Sequence, residues 1–452
     1  MNHIRSLTLA LLIALVPTCP LTAQSRYTVT DLGTLGGADS QASGINNSGQ
    51  VVGLSYISGD ANQHAFRTAP NCPINPATDD LGGFGNQFFS QARGINNGGQ
   101  VVGLASTGDA FFFFPAHAFR TASNSPINSA TDDLGTFGGT DSQAYSINSS
   151  GQVVGSATTP GETGNHAFRT APNSPINPAT DDLGTLGGSL SVAYGINDSG
   201  QVVGAARKAN EPHFVLHAFR KAPNSPINPA TDELGALGGT QSVAYDINNS
   251  GEVVGYAYTT GDATEHAFRT ASNSPINPAT DDLGTLGGTT SRAFSINSSG
   301  QVVGRASTPD DADSHGFLYQ NGVMYDLNDL VPAGSGWDLG EALSINDAGQ
   351  IVGWGLLSGF QYPHAYRLDP VDVAVSILEM QVISLGLPHG TQASLISKLQ
   401  GAIAAIQISD FSTAIGDLQA LIHEVNALTG KKITAFGAAA LIAAANTIIA
   451  AL

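Results

Sequence analysis

One short phrase is written seven times along this chain, and it limits the possible folds more than any other feature. At its first occurrence, from Gly44 to Gly53, it reads GINNSGQVVG. A period of about 50 residues is typical of proteins built from many copies of one supersecondary unit. The Ile-Asn pair of the phrase returns every 49 to 52 residues, with its asparagine at Asn46, Asn96, Asn148, Asn197, Asn248, Asn297 and Asn346.

Each repeat contains four short candidate strands separated by Gly, Asn, Asp and Pro clusters, a pattern typical of an all-β protein. In the first repeat they are SQASGIN, QVVGLS, HAFRT and a segment that ends in DLG. The glycine inside the phrase is predicted to supply the positive φ of a tight hairpin loop. These glycines are Gly49, Gly99, Gly151, Gly200, Gly251, Gly300 and Gly349.

The sixth repeat indicates how the third and fourth strands pair. There HGFLYQNGVMYDLN joins the two strands through Asn321-Gly322, a strong hairpin signal. Most other repeats have a longer loop at this point, such as TAPNSPINPATD. The two strands are therefore predicted to be antiparallel neighbours, with the longer loop as an insertion.

The two ends of the repeat array complement each other. The array opens with an unmatched strand, YTVTDLG from Tyr27 to Gly33, and the seventh repeat stops at Pro370 without a DLG strand. If the first strand completes the last repeat, the array closes into a ring. The predicted fold over residues 27–368 is an all-β seven-bladed propeller with four-stranded blades. A linear solenoid, the alternative, would need capping units that the sequence does not show.

These motifs together resemble a known repeat family. HAF recurs in repeat after repeat, and DLGTLGG precedes the GIN and GQVVG segments, as in the probable extracellular repeat called the HAF family. The resemblance covers Tyr27 to about Arg367, with HGF at His315 and HAY at His364 as departures. It implies an extracellular location and brings no agreed catalytic residues.

After Pro370 the composition becomes that of a small all-α bundle. Glycine becomes rare and apolar residues recur at helical spacing. Thr391 and Ser412 are predicted to cap helices at their amino ends, and Gly386 and Gly430 to end helices.

The stretches LEMQVISLGLPHGTQASLISKLQ and GDLQALIHEVNALTGKKITAFGAAALIAAANTIIAAL resemble the helical FIMAH domain, found at the ends of secreted bacterial proteins. The resemblance spans residues 371–452 and implies an accessory or attachment module. An alternative interpretation makes the last 19 residues a membrane anchor behind Lys431 and Lys432. Its alanines are weakly hydrophobic and Asn446 would lie near mid-span, so no membrane span is expected.

The amino-terminal residues 1–23 are typical of a secretory signal peptide. A basic start at Arg5 precedes an apolar run that is too short to span a bilayer. The protein is therefore expected to be secreted, in the extracellular space or at the cell surface. Cys19 lies in VPTC, a poor match to a lipoprotein cleavage box. Without Cys19, Cys72 has no disulfide partner, and its position is serine in other repeats.

The charge balance excludes one class of partner. The chain has 36 acidic and 17 basic residues, a net charge of −19. Such a surface repels phosphate backbones, so no nucleic-acid partner is expected.

Seven histidines share one position of the repeat and suggest a metal site. Equivalent positions of a propeller lie around a ring, too far apart to share one ion at ligand distances of about 2 Å. They are predicted instead to bond within their own blade or to the next: His64, His117, His166, His217, His266, His315 and His364. The same role is predicted for the recurrent arginines Arg67, Arg120, Arg169, Arg220, Arg269 and Arg367.

Acidic pairs precede Leu-Gly in five repeats and suggest calcium. The spaced acidic pattern of a known calcium loop is missing, and adjacent strand residues point to opposite faces. No cofactor is therefore predicted, with calcium as the alternative. The pairs are Asp79-Asp80, Asp132-Asp133, Asp181-Asp182, Asp232-Glu233 and Asp281-Asp282.

No catalytic motif was found. The chain has no G-x-S-x-G elbow, His423-Glu424 lacks the second histidine of H-E-x-x-H, and GTLGGT lacks the end of a phosphate loop. The chain is therefore not predicted to be an enzyme.

The loop between the second and third strands varies most between repeats, and its aromatic residues predict an apolar contact patch. The predicted function is a secreted, non-enzymatic propeller that binds an extracellular carbohydrate or protein partner through these loops. The alternatives are a hydrolase or lyase with its site at the central channel, and a purely structural surface component. The patch residues are Phe111, Phe112, Phe113, Phe114, Phe214 and Tyr362.

Overall fold

A computed structural model describes residues 26–60, 62–85, 89–108, 115–162, 164–212, 214–223 and 225–452. The predicted signal peptide and Cys19 lie outside these ranges. The strands are β1 (Tyr27–Gly33), β2 (Gly36–Ile45), β3 (Val51–Ile57), β4 (Gln63–Arg67), β5 (Asp80–Gly82), β6 (Ser90–Ile95), β7 (Val101–Ser106), β8 (Ala116–Arg120), β9 (Ser142–Ile147), β10 (Val153–Thr158), β11 (Asn165–Arg169), β12 (Gly187–Ile196), β13 (Val202–Lys208), β14 (His217–Lys221), β15 (Gly238–Ile247), β16 (Val253–Thr259), β17 (Glu265–Arg269), β18 (Ser291–Ile296), β19 (Val302–Ser307), β20 (Ser314–Gln320), β21 (Val323–Asp326), β22 (Trp337–Ile345), β23 (Ile351–Leu357) and β24 (His364–Pro370).

The described strands form seven small antiparallel sheets, one for each repeat. Their orders are β2-β3-β4-β5, β6-β7-β8, β9-β10-β11, β12-β13-β14, β15-β16-β17, β18-β19-β20-β21 and β22-β23-β24-β1. The predicted combination of a β region with a helical carboxyl-terminal region is confirmed.

The prediction of four strands in every repeat is wrong for repeats two to five. There the DLG segment makes a single bridge to the third strand, such as Phe119 with Asp133. Two backbone hydrogen bonds flank this bridge, from the Arg120 N–H to the Asp132 carbonyl at 3.0 Å and from the Leu134 N–H to the Ala118 carbonyl at 2.9 Å, so the segment meets the third strand over a few residues only. In the sixth repeat the short turn at Asn321 and Gly322 permits the full strand β21, and this predicted hairpin is confirmed.

Each repeated phrase forms the hairpin between the first two strands of its sheet. Gly49 has φ of 78°, and its N–H donates to the Asn46 carbonyl oxygen at 3.0 Å. The Asn46 side-chain oxygen accepts hydrogen bonds from the backbone N–H groups of Ser48 and Gln50, at 3.1 and 3.0 Å. The asparagine thereby satisfies the turn's backbone donors, which explains why this residue type stands at every copy.

The same seven asparagines connect the repeats. The side-chain amide of Asn46 donates to the backbone oxygen of Asn96 at 3.2 Å, and each asparagine in turn donates to the next. The last bond runs from Asn346 back to Asn46 at 3.0 Å. These seven bonds form a closed cycle, so the first and last repeats are neighbours.

The first strand joins the last repeat, as predicted. Strand β1 pairs antiparallel with β24, with Thr28 opposite Asp369 and Thr30 opposite Arg367. Apolar residues of the first and last repeats pack together at this junction, including Leu32, Phe66 and Val352. The other clusters of the described β region likewise combine residues of adjacent repeats. The core is therefore distributed between neighbouring sheets.

Four helices follow directly: α1 (Val371–Ser384), α2 (His389–Gln407), α3 (Phe411–Leu428) and α4 (Ala435–Ala451). They share one apolar core that includes Val375, Leu399, Leu418 and Leu441. Helix α1 continues from β24, and the Val371 N–H donates to the Arg26 carbonyl at 3.2 Å.

The predicted amino-terminal caps at Thr391 and Ser412 are wrong. Asp410 caps α3, because its carboxylate reaches the Thr413 N–H at 3.2 Å. Thr391 lies within α2, where its hydroxyl accepts a hydrogen bond from Lys432 at 2.8 Å. Among the described residues, no helix is long and apolar enough to cross a membrane.

Candidate functional site

The recurrent histidines each pair with a carboxylate of the fourth-strand segment of their own sheet. His117 Nδ1 lies 2.9 Å from Asp133, and the same contact joins His64 to Asp80 and His166 to Asp182. The remaining pairs are His217 with Glu233, His266 with Asp282, His315 with Asp326 and His364 with Asp31. The last pair joins β24 to β1. No three His, Cys, Asp or Glu side chains in the described ranges are grouped to hold a metal ion.

The two acids of each pair have separate structural tasks. Asp79 is buried and accepts hydrogen bonds from the Asn75 N–H and the Thr78 hydroxyl, at 2.8 and 2.9 Å, which closes the insertion loop. Asp80 binds His64. Both carboxylates are thus engaged by protein donors, and they are turned toward different partners.

The recurrent arginines reach into the next repeat. Arg67 donates to the Ser125 carbonyl at 3.0 Å, and Arg120 to that of Ser174 at 3.0 Å. Arg367 differs, since it forms a buried ion pair with Asp369 at 2.8 Å. Cys72 is exposed, and its N–H donates to Ala69 in the same way that Ser125 donates to Ala122.

The predicted aromatic patch is only partly described. Phe111, Phe112, Phe113 and Phe114 lie outside the described residues. Phe214 and Tyr362 are exposed, at 75% and 49%, in loops of the fourth and seventh repeats. These two repeats are not neighbours in the asparagine cycle, so the structure does not bring Phe214 and Tyr362 together as members of adjacent repeats.

A cavity of about 250 Å³ lies where the seven repeats converge. Its wall includes the residue two positions before the isoleucine of each repeated phrase. These residues are Ser43, Arg93, Tyr145, Tyr194, Tyr245, Phe294 and Leu343. A second cavity, of about 210 Å³, is lined by the asparagine turns and by the isoleucine of every repeated phrase. Five of these isoleucines also line the first cavity, which we call the aromatic cavity after the rings in its wall: Ile45, Ile95, Ile147, Ile296 and Ile345.

Four aromatic rings form a continuous row along one side of the first cavity. The ring centres of Tyr145 and Tyr194 are 4.9 Å apart, those of Tyr194 and Tyr245 5.2 Å, and those of Tyr245 and Phe294 5.6 Å. Each pair meets edge to face, an arrangement that aromatic rings favour. We refer to Tyr145, Tyr194, Tyr245 and Phe294 as the aromatic row.

Arg93 lies at the first end of the aromatic row. Its guanidinium stacks over the Tyr145 ring at 4.4 Å and donates to the Gln143 side-chain oxygen at 3.0 Å. The Tyr145 hydroxyl donates to the same oxygen at 3.0 Å. Stacking and hydrogen bonding together fix the plane of the guanidinium beside the cavity.

Asp246 contributes the one carboxylate among the residues that line this cavity. It accepts hydrogen bonds from the Ile247 N–H at 2.8 Å, the Ser295 hydroxyl at 3.0 Å and the Ile296 N–H at 3.1 Å. Burial raises the pKa of Asp246 to about 6, although these three donors act to lower it. Burial also raises the pKa values of Tyr194 and Tyr245, so both phenols stay protonated at neutral pH.

Charged groups near the aromatic row are otherwise paired. Arg292 stacks over Tyr256 at 4.4 Å and binds Glu265 through two hydrogen bonds. Arg305 binds Glu341 at 2.6 Å.

From the sequence, a site at the central channel was an alternative and none of the residues that line this cavity was named, although a signal for them is present. Framework positions such as Asn46 keep one residue type through all seven repeats. The position of Arg93 and Tyr194 instead carries Ser, Arg, Tyr, Tyr, Tyr, Phe and Leu. Divergence inside an otherwise constant phrase could have identified this position, whereas the variation and the aromatic residues of the outer loops predicted a contact patch there.

A family described as "Protein of unknown function (DUF3466)" matches residues 158–272, about a quarter of the chain. The match runs from the end of β10 past the end of β17 and includes Tyr194 and Asp246. Over this part the chain is similar to that family. No curated protein matches the chain.

Proposed function

We propose that the protein is a secreted, non-enzymatic, seven-bladed β-propeller that binds a carbohydrate in the aromatic cavity. In this proposal, residues 27–368 form the propeller, the signal peptide directs secretion, and the helices of residues 371–452 serve for attachment. The closed cycle of asparagine bonds and the pairing of β1 with β24 support the ring. The resemblances to HAF repeats and to FIMAH support the location and the attachment role.

One observation carries the assignment of the binding site. At the position that carries Arg93 and Tyr194, the residue lining the aromatic cavity differs from repeat to repeat, whereas the isoleucine two positions later is the same in all seven. A scaffold role would favour the same residue in each repeat, because each repeat has the same neighbours. The divergence at the cavity therefore supports a ligand that contacts each repeat differently.

The chemistry of the wall fits a carbohydrate better than an apolar ligand. The aromatic row presents tyrosine and phenylalanine rings, and binding sites commonly combine such surfaces with a few placed polar groups. Arg93, Asp246 and Gln143 offer hydrogen-bond donors and acceptors near it. Sugars have both apolar C–H faces and hydroxyl groups, so they complement this mixture.

The same wall gives less support to the alternative of a hydrolase. Glycoside hydrolysis ordinarily needs two carboxyl groups on either side of the bond, and Asp246 is the one carboxylate lining the cavity. No histidine is among the lining residues. The raised pKa values of Tyr194 and Tyr245 disfavour a tyrosinate base.

The test is a glycan array followed by calorimetry, comparing the unmodified chain with Tyr194→Leu. This substitution keeps apolar volume but removes the ring face and the hydroxyl, so affinity for the bound glycan should fall by about tenfold or more. Phe214→Ala and Tyr362→Ala are the matched controls, since they remove exposed aromatic side chains from loops. If Tyr194→Leu still binds the glycan and the two loop variants do not, the binding site lies at the loops and not in the cavity. Release of shortened sugars would instead indicate an enzyme.

A further inference from the structure

We propose that the carbohydrate carries a carboxylate group and that Arg93 binds it. This inference rests on the proposed function, because it concerns the same cavity. It names the class of sugar: a uronic acid, either free or at the end of a longer chain.

The first support is the charge on Arg93. Within the described ranges Arg93 forms no ion pair, and its side chain donates hydrogen bonds to the neutral oxygens of Gln91 and Gln143. Two nearby arginines do form ion pairs, Arg292 with Glu265 and Arg305 with Glu341. Arg93 therefore places a positive charge beside the cavity, and no carboxylate of the described residues is paired with it.

The second support is the way in which Arg93 is held. The Tyr145 ring at 4.4 Å and Gln143 at 3.0 Å fix the guanidinium, while its bonds to Gln91 are long, at 3.4 Å. A guanidinium offers five N–H donors in a flat fork that matches the two oxygens of a carboxylate. Weak contacts on the Gln91 side leave Nε and Nη2 able to exchange that partner for a carboxylate.

The third support is the position of Asp246. Arg93 belongs to the second repeat and Asp246 to the fifth, so two repeats lie between them along these bonds of the asparagine cycle. The Asp246 carboxylate is held by three protein donors, and among the described residues it forms no ion pair with Arg93. Repulsion from Asp246 and attraction to Arg93 give an acidic sugar one favoured orientation, with its carboxylate at Arg93 and its ring along the aromatic row.

The size of the cavity limits how much of the ligand enters. Its 250 Å³ lies below the range of about 300–1,000 Å³ that accommodates drug-sized ligands. One sugar ring therefore occupies the cavity, and any further sugars of a chain extend outward.

The experiment uses pairs of sugars that differ in the acidic group alone. The full chain is titrated calorimetrically with D-galacturonate and D-galactose, and with D-glucuronate and D-glucose. One charge-assisted contact should make at least one acid bind about tenfold tighter than its neutral counterpart at low salt. Matched acidic and neutral oligosaccharides then show whether a free sugar or a chain end is preferred.

Two variants test the role of Arg93. Arg93→Gln should reduce the ratio of acid to neutral affinity to about one, while neutral binding persists because the aromatic row remains. Lys431→Gln removes the same charge from an exposed turn between α3 and α4 and should leave the ratio unchanged. Arg93→Lys keeps the charge without the planar guanidinium and should give an intermediate ratio of acid to neutral affinity. This variant replaces Arg93→Gln in the test if the unfolding temperature of Arg93→Gln shows that it does not fold.

The outcomes separate the two proposals. Equal affinity for acidic and neutral sugars in the unmodified chain would overturn the role of Arg93 and leave carbohydrate binding intact. A full acid preference retained in Arg93→Gln would overturn it as well. If no glycan binds at all, the proposed function itself fails.

Discussion

Gly103, the last residue of the second QVVG motif, shows how a close approach between strands selects a residue. A Cβ atom at this position would overlap the backbone oxygen of Gln91 on the paired strand. The register shifts between Ala92 and Gly94, so this overlap occurs at a β-bulge. The equivalent overlap is found at Gly53, and the bulge recurs there too. The glycine is therefore required by the bulge and not by the hairpin.

We expect Gly103→Ala to lower the free energy of unfolding by about 3 kcal/mol, because the clash is with backbone atoms that cannot rotate away. The measurement is urea unfolding followed by circular dichroism. Gly83→Ala is the control, since its Cβ would meet its nearest neighbour at an ordinary 3.7 Å. Equal stability of the two variants would contradict the bulge argument.

Residues differ in how far the sequence reveals them. The hairpin glycines could be predicted, because their positive φ follows from a local rule about tight turns. The partner of each histidine could not be named from the sequence, since His364 binds Asp31 across 333 positions. Arg93 and Asp246 were missed because the repeat pattern does not say which edge of a strand faces the centre of the molecule.

At the scale of elements, β1 is the strand that connects the two ends of the array. Its Leu32 is fully buried between the first and last repeats, and the Leu32 carbonyl accepts a hydrogen bond from Ile74 at 2.8 Å. Leu183 has the equivalent place in the third repeat, where its carbonyl accepts a bond from Ile227 at 2.7 Å. The two leucines are thus matched in burial and contacts, and they differ in the element that they anchor.

Both Leu32→Ala and Leu183→Ala should cost about 3 kcal/mol of global stability, as expected for a buried leucine. Leu32→Ala should in addition speed hydrogen exchange in His364–Pro370, since β1 is the outer strand of that sheet and opens locally. Exchange by mass spectrometry measures this, with Asn165–Arg169 as the reference segment. Unchanged exchange at β24 would argue against local opening of β1.

The sequence correctly predicted the elements that have strong local signals, and it did not predict the elements that are defined by few hydrogen bonds. The hairpin at Asn321 and Gly322 could be predicted from these two residues alone, because Asn-Gly favours the positive φ angles that a tight turn needs. Both residues have positive φ in the structure, 52° and 81°. In repeats two to five the predicted fourth strand is a single bridge. The sequence could not predict this, because no sequence rule tells how many residues after a long loop rejoin the sheet. The cap at Asp410 was missed because Ser412 offers an equally good capping side chain two residues later.

At the scale of the whole molecule, the histidine–carboxylate pairs make stability depend on pH. Hydrogen bonding to the partner aspartate raises the pKa values of His117, His166 and His266 above the usual 6.5, against the effect of burial. For their partners Asp133, Asp182 and Asp282, burial acts to raise the pKa. The histidine hydrogen bond, a glycine N–H and the histidine charge outweigh it, so the pKa values fall below 3.8.

The sign of each contribution follows from linkage. A histidine with a raised pKa stabilises the fold fully below pH 6.5, and the contribution is lost as pH rises through the folded value. An aspartate with a lowered pKa stabilises it above pH 3.8, and the contribution is lost as pH falls through the folded value. Lys221 acts in the opposite direction at high pH, because burial lowers its pKa to about 8. The pairs therefore contribute most between about pH 4 and pH 6.5.

We expect the unfolding temperature to be highest in this mildly acidic window and to fall on both sides of it, measured by calorimetry from pH 3.5 to pH 8. Combining Asp133→Asn, Asp182→Asn and Asp282→Asn should lower the maximum and flatten the fall above pH 6.5, because the three histidines then lose their charged partners. Asp372→Asn, in the first turn of α1 and outside these pairs, shows the effect of removing one negative charge. A stability that rises steadily from pH 6.5 to pH 8 would contradict the role of the pairs, since protonated histidines would then not stabilise the fold.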